Sequence, residues 1–397
     1  MEKQKIWLSS PHMGGDELEF IKQTFEDNWI APVGPSVNAF ENDISDYLNE
    51  FSDKNISTAV LSSGTSALHL AMVILGVGTK DVVIVQSFTF CATANPVIYQ
   101  GAEIVFIDSE EETWNMDPIH LENSIIDLIK QGYGIINQIE PQNGKGYIKA
   151  IIPVHLYGMP AKMTEIINIT QTYHIPIIED AAESLGSKYN GLCCGSFGEM
   201  SILSFNGNKI ITTSSGGALV SKNIEYVEKA RFLSTQARDT AIHYQHSQIG
   251  YNYRMSNVLA SIGRGQMQVL NERVGQRRAN NLRYREFFKK IDYVKMHTEP
   301  SNHFYSNFWL TAFILDKEKS DNLTIEIIQS AFMEENIECR PLWKPMHLQP
   351  VFQNKQFYGT GVCERFFDNG LCLPSGSNLT DSDFDRIFGV LSRIFKI

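Results

Sequence analysis

Long apolar runs are missing from this 397-residue chain: none approaches the roughly 18 consecutive apolar residues that a membrane-spanning helix requires. The opening stretch "MEKQKIWLSSPHMGG" also lacks the basic-then-apolar profile of a secretory signal, so the expected location is the cytoplasm. Excess basic charge is absent as well. A formal net charge of −11 and a pI near 5.4 exclude a sequence-independent grip on nucleic acid, which depends on clustered Lys and Arg facing phosphates; a local anion site stays open. The six cysteines, at 91, 193, 194, 339, 363 and 372, contain no C-x-x-C pair and are too sparse for a disulfide scaffold. They are expected to be reduced and structural, the adjacent Cys193-Cys194 being two small buried residues of a Gly-rich turn, and no metal site is expected. Internal repeats are lacking too.

What is present is the composition of an ordinary globular protein, 43% hydrophobic and 20% charged, in a chain long enough for two domains. Between about residues 59 and 221 short apolar runs recur: "AVL", "DVVIVQ", "AEIVFID", "KAIIPV", "IPIIED", "MSILSF" and "GGALVS". Each is nearly continuous rather than alternating, as expected of strands buried on both faces of a mostly parallel sheet. With helical stretches between several of them, this is an α/β layer architecture. "PQNGKG" reads as a surface turn, helices dominate from about 224 to 291, and the remainder mixes strand-like and helix-like pieces. The expected division is a large domain with an N-terminal arm, residues 1–255, and a helical connection with a small α+β domain, residues 256–397.

Four of the runs end in small or polar residues: "SSGTSALHL", "QSFTFCATAN", "EDAAES" and "SFNGNK". Ligands of open α/β sheets bind outside the carboxyl ends of the strands, so these four segments should converge on one pocket. Gly64-Thr65-Ser66 opens a helix whose first N–H groups lack partners within it and suit phosphate oxygens, although Ser63 or Thr65 could serve only as an N-cap. Phe90 is either core or a flat platform for a heteroaromatic ring. Asp180 and Glu183 stand at the end of a buried strand, a costly place for unpaired charge; a helix dipole or a pyridinium nitrogen could face them. Lys209 follows the turn Asn206-Gly207-Asn208, where a surface lysine and an amine aimed at a carbonyl-bearing cofactor are both conceivable. Ser204, just before it, could add a hydroxyl to the phosphate site. Each feature is weak alone, but a phosphate cup, an aromatic platform, a buried acid and a strand-end lysine, in that order, point to pyridoxal 5′-phosphate.

The segments "GPSVNAFE", "SSGTSALHLAM", "HLYGMPAKM", "EDAAESLGSKYNG", "SFNGNKIITTSSGGALVS" and "GYNYRMSNVLASIG" resemble the pyridoxal-phosphate nucleotide-sugar aminotransferases of DegT/StrS type, which have the aspartate-aminotransferase fold. The resemblance covers nearly the whole chain. It implies a fold type I architecture, with a mostly parallel seven-stranded sheet and a smaller C-terminal domain, and a homodimer whose active sites lie at the subunit interface. By the same resemblance Lys209 is the Schiff-base lysine, Asp180 the partner of the pyridine nitrogen, Phe90 the stacking ring and Glu183 a polar neighbour of the ring. Gly64, Thr65, Ser66 and Ser204 bind phosphate, and Asn252 reaches it from the other subunit. Many members carry histidine where this chain has Asn206, so that histidine's role does not transfer.

Two stretches, "LSSPHMGGDELEFIKQTFEDNWIAPVGPSV" and "SFNGNKIITTS", resemble transaminases of the UDP-N-acetylbacillosamine pathway. The implied reaction moves an amino group from L-glutamate to a UDP-linked 4-keto-6-deoxy-N-acetylhexosamine. Trp29 and Ile30 would border the sugar-nucleotide pocket, and Arg254, Lys344 and His347 would meet the diphosphate or sugar, surface positions being the alternative for these three. Another keto sugar, such as a dTDP-linked 3-keto-6-deoxyhexose, is the competing substrate. A sugar 3-dehydratase, which has histidine in place of the lysine, is disfavoured by Lys209. A non-catalytic sensor would need a degraded site or an added basic domain, and the sequence displays neither.

Overall fold

The apolar runs become strands for the reason their composition suggests: Val82–Gln86 and Gly217–Ser221 are buried at all five positions, so side chains on both faces leave water. The computed structural model describes residues 3–52, 55–320 and 323–397. One four-stranded ladder runs Ser57–Leu61, Gly217–Ser221, Met200–Ser204, Ile178–Asp180; a second runs Gln356–Tyr358, Glu103–Ile107, Val82–Gln86, Ile148–Ile152. Parallel bridges from Ile151 to Ile177 and from Val154 to Asp180 join the two ladders edge to edge. Among these strands Gly217–Ser221 alone runs antiparallel to its neighbours, so the sheet is mixed and mostly parallel.

Seven of these strands come from the first 221 residues, as expected. The eighth, Gln356–Tyr358, pairs parallel to Glu103–Ile107 with Gln356 opposite Val105, which carries a C-terminal segment back onto the large sheet. Its three residues offer no apolar run, so nothing local announces it. Asp108 fixes this return: its carboxylate accepts the amides of Thr360, Gly361, Val362 and Cys363 at 2.8–2.9 Å. Burial works to raise the Asp108 carboxyl, but hydrogen bonds from the Cys363 side chain and from the amides of Cys363, Val362 and Ser109 hold it below the usual carboxylate range.

The C-terminal region builds its own antiparallel sheet in the order Val294–Met296, Thr311–Leu315, Gly370–Leu373, Arg340–Pro341. The helices Ile325–Glu334 and Asp381–Phe395 pack on it through a core that includes Phe313, Phe332, Phe384 and Leu391. The N-terminal arm crosses to this side, where Ile6 bridges Ile337 and joins the same core. Among the described residues no helix is long and apolar enough to cross a membrane.

One close approach sets up the site. A Cβ on Gly217 would lie 2.3 Å from the Gly64 nitrogen and 2.4 Å from the Ser63 carbonyl carbon, so only glycine lets the strand Gly217–Ser221 touch the start of the helix Gly64–Ile74. Backbone atoms cannot yield as a flexible side chain does. Gly217→Ala is therefore expected to destabilise the fold by about 1–3 kcal/mol and to weaken anion binding at that helix start, read by thermal unfolding with and without pyridoxal phosphate.

Candidate active site

The carboxyl ends of the strands open onto a cavity of about 580 Å³, and the four strand-end segments meet there. Gly64, Thr65, Phe90, Asp180, Glu183, Ser204 and Lys209 all line it. Strand alternation sorts the two acids of "IED" in opposite directions. Glu179 points away from the cavity and is saturated, accepting from His155 Nε2 and the Phe197 amide at 2.8 Å, Gly198 at 3.2 Å, Gly195 at 2.5 Å and the Ser201 hydroxyl at 2.8 Å. Burial works to raise its carboxyl, but these bonds, His155 foremost, bring it below the ordinary value. His155 Nδ1 accepts the Ala161 amide at 2.9 Å, so the cluster of His155, Glu179 and Cys194 has both ring nitrogens already engaged.

Asp180 is only 7% exposed and has fewer partners. Its Oδ2 accepts from the Thr93 hydroxyl at 2.7 Å and its Oδ1 from the Ala182 amide at 3.1 Å. Burial raises its carboxyl above the ordinary value, and those two bonds and the charge of Lys209 offset this only in part. Glu183 is raised by burial too, opposed chiefly by Lys209 and by the amide of Tyr157, which donates at 2.8 Å. Tyr157 makes that bond with φ at 54°, a left-handed conformation that costs a non-glycine residue free energy.

Lys209 stands between these groups. Its Nζ donates to Glu183 Oε1 at 3.1 Å and lies 4.0 Å from the Trp309 ring centroid. The turn that carries it is held at its own backbone: Lys209 N donates to Asn206 O at 3.0 Å, and Asn208 O accepts from Ser9 Oγ at 2.7 Å and Trp309 Nε1 at 2.6 Å. The lysine is thus a mostly buried amine with a defined base, not a solvated surface charge.

At the other side of the cavity, Ser63 caps the helix Gly64–Ile74. Its hydroxyl accepts the Ser66 amide at 3.0 Å while Ser66 Oγ accepts the Ser63 amide at 3.0 Å. The Ser66 side chain is consumed by this capping box and does not line the cavity. The amides of Gly64 and Thr65 find no acceptor among the described residues, and the Ser204 side chain sits against Gly64, its Cβ 3.3 Å from where a Gly64 Cβ would be. Phe90 precedes the helix Cys91–Tyr99, is 54% exposed, and its ring centroid is 5.5 Å from that of Trp343; it belongs to the cavity wall rather than the core. Two free amides with a hydroxyl, a flat ring, an under-satisfied buried carboxylate and an amine match the parts of pyridoxal phosphate: phosphate, ring face, ring nitrogen and aldehyde.

The remaining expected residues lie outside the cavity of this chain. Arg254 is spent on Glu41 and on the Val60 carbonyl at 2.9 Å. His347 bonds Ser87 Oγ at 2.7 Å and Glu364 at 3.2 Å and stacks on Phe357, which uses both nitrogens and a ring face. Lys344 is half-buried beyond the lining, and Trp29, Ile30 and Asn252 are exposed on the protein surface. The cavity also takes residues that no local pattern singled out: Leu8 and Ser9 from the arm, Thr93, Trp309, Arg340 and Trp343. Of these, Thr93 was within reach of sequence reasoning, since it lies one helical turn after Phe90 in "FTFCATAN".

The Asp180 shift has a stability consequence with a definite sign. A carboxyl whose folded pKa is raised opposes folding once it ionises; the penalty is absent below the unfolded value near pH 4 and complete above the folded value. Asp180→Asn is expected to stabilise the cofactor-free protein at pH 7 by about 1–3 kcal/mol, with the gain vanishing below about pH 4, as read by urea unfolding at both pH values.

The DegT/DnrJ/EryC1/StrS aminotransferase family profile matches residues 11–392. The chain is 48% identical to EpsN of Bacillus subtilis, named as a pyridoxal phosphate-dependent aminotransferase, over 99% of this chain and 96% of that protein. It is 32% identical to the GDP-perosamine synthase of Caulobacter vibrioides, over 98% of each chain. A DegT DnrJ EryC1 StrS aminotransferase from Brucella abortus superposes with a TM-score of 0.84 at 28% identity, covering 96% of this chain and 95% of that one. With a profile match over nearly its full length and relatives this similar, the chain belongs to the DegT/DnrJ/EryC1/StrS aminotransferase family.

Proposed function

We propose that this pyridoxal phosphate-dependent sugar aminotransferase takes the amino group of L-glutamate and delivers it to the keto group of a UDP-linked 4-keto-6-deoxy-N-acetylhexosamine. The observation that carries the chemistry is the meeting of Lys209 Nζ, Glu183 and the under-satisfied carboxylate of Asp180 in one cavity. Bound there, pyridoxal phosphate supplies an aldehyde for amines and a ring that takes up the electron pair left when an α-carbon loses its proton. Asp180 would accept the ring N–H and keep that nitrogen protonated, and Thr93 orients the carboxylate by its 2.7 Å bond. The amides of Gly64 and Thr65 and the hydroxyl of Ser204 would hold the phosphate, and Phe90 would cover one face of the ring.

Lys209 has two tasks. Its amine would hold the cofactor, and when free it would take up the proton from the substrate α-carbon. Glu183 keeps the ammonium within 3.1 Å when the proton rests on Lys209. The polypeptide acts as a homodimer in this reading, with Asn252 of a second copy completing the phosphate site and the exposed Trp29 and Ile30 and the half-buried Lys344 bordering the sugar nucleotide. Arg254 and His347, tied into their own ion pairs and hydrogen bonds, would act through neighbours rather than by touching substrate.

A second substrate reading has its own support. The relatives called GDP-perosamine synthase are named for a GDP-linked amino sugar, which makes a GDP-linked keto sugar the competing substrate. Glutamate consumption against UDP-, GDP- and dTDP-linked 4-keto and 3-keto sugars separates the possibilities. The UDP-linked 4-keto-N-acetylhexosamine is expected to turn over fastest; turnover confined to the GDP-linked sugar favours the second reading, and turnover confined to a dTDP-linked 3-keto sugar overturns both.

The lysine assignment has its own test. Borohydride is expected to fix one cofactor to the peptide that contains Lys209, located by mass spectrometry. Lys209→Ala should lose that attachment and at least about 10²–10⁴-fold in rate. Attachment that persists on another lysine contradicts the assignment.

A further inference from the structure

Arg277 is the most deeply buried cation near the site. It lies on the helix Leu270–Phe288, is 1% exposed, and makes no ion pair with any carboxylate among the described residues. Among the described residues its guanidinium bonds only neutral acceptors: Nη1 donates to the Trp309 carbonyl at 2.6 Å and the Ser375 carbonyl at 3.2 Å, and Nη2 donates to Ser9 Oγ at 2.9 Å. Burial pulls its pKa down to about 9. A buried charge held this way is an expensive means of tying three loops together, because apolar side chains of similar volume commonly do as well.

The destination of those bonds explains the choice. Among the described residues Ser9 and Trp309 are the two whose side chains donate to Asn208 O, the carbonyl next to Lys209. Arg277 grips both, one with each terminal nitrogen. The Ser375 loop closes the arrangement, since the Ser375 amide donates to Leu8 O at 2.8 Å and so pins the arm beside Ser9. The planar fork of an arginine reaches these acceptors at once; a lysine ammonium, a point charge on a flexible stem, has no such geometry. Trp309 completes the link by placing its ring 4.0 Å from Lys209 Nζ.

We infer that Arg277 is a positioning residue for the reacting lysine: it sets the Ser9 hydroxyl and the Trp309 indole so that together they fix the Asn208 carbonyl and with it the stance of Lys209 over the cavity. The inference rests on the reading of Lys209 as the reacting amine. It extends the active site to a residue that does not itself line the cavity and meets it through Ser9 and Trp309, which do.

The test compares Arg277→Met, Arg277→Lys, the pair Ser9→Ala with Trp309→Phe, and all three changes together, each as the cofactor-loaded protein. Trp309→Phe keeps a ring beside Lys209 and removes only the N–H. Arg277→Met is expected to lower kcat of the glutamate half-reaction about 10- to 100-fold while KM for glutamate and for the sugar stays within about threefold. Arg277→Lys, which keeps the charge and loses the fork, should not restore the rate. The Ser9/Trp309 pair should reproduce most of the loss, and the triple variant should be no slower than Arg277→Met. Should Arg277→Met fail to fold, the Ser9/Trp309 pair decides alone: a fall in kcat at unchanged KM supports the inference, and a wild-type kcat overturns it. For folded Arg277→Met, wild-type kcat, full rescue by lysine, or a triple-variant loss equal to the product of the separate losses overturns it. Borohydride labelling of the wild type separates the two levels: no label on Lys209 sinks the lysine assignment itself, whereas label on Lys209 with an unaffected Arg277→Met sinks only the positioning role.

Discussion

A carboxylate buried at the end of a strand with too few donors is the constraint around which this site is organised. Asp180 receives one hydroxyl and one amide, whereas its neighbour Glu179, on the opposite face of the same strand, receives five donors. The chain spends Glu179 on holding the Gly195–Ser201 turn and leaves Asp180 short. That shortage disfavours the ionised folded state, and the same shortage provides an acceptor wherever a ring N–H arrives. Stability and chemistry pull in opposite directions on one side chain, as they often do at functional sites.

The amine proposed to react is held by parts of the chain outside the large sheet. Lys209 lies in a turn at the carboxyl end of the large sheet, but the groups that hold the turn come from the N-terminal arm and from the start of the C-terminal region. Two bodies of structure thereby share one peptide carbonyl. Asp108 serves the same union elsewhere, bonding four successive amides of the segment that returns from the C-terminal region to the large sheet. The cavity is a product of how these parts are fastened, not of the strand ends alone.

Much of this was legible in the residues themselves. Lys209, Asp180, Gly64, Thr65, Phe90 and Ser204 each come at or just after the end of a continuous apolar run, and a buried parallel strand delivers its last residues and the turn beyond them to one edge of the sheet. Ser66 was legible only in part, because the helix start Gly64-Thr65-Ser66 that suggests a phosphate cup also forms a capping box with Ser63, and the cap claimed its side chain. Arg254 and His347 are chemically suited to anions, but their fate was decided by Glu41, Ser87 and Glu364, none of them a neighbour in the motifs that drew attention to the two residues. Trp309 and Arg277 carry no local signal, since Trp309 bonds Asn208 and Arg277 bonds Ser9, each a hundred or more positions away. Local pattern reports what a strand end presents; it cannot report which remote loop comes to meet it.

In the proposed site Lys209, Asp180 and the start of the helix Gly64–Ile74 hold different parts of one cofactor. A crystal structure of the protein grown with pyridoxal phosphate is the decisive measurement. Density is expected to run continuously from Lys209 Nζ into the cofactor, with the ring nitrogen beside Asp180 and the phosphate on the Gly64 and Thr65 amides with Ser204. A cofactor joined to a different lysine, or one whose phosphate rather than ring nitrogen faces Asp180, would contradict it.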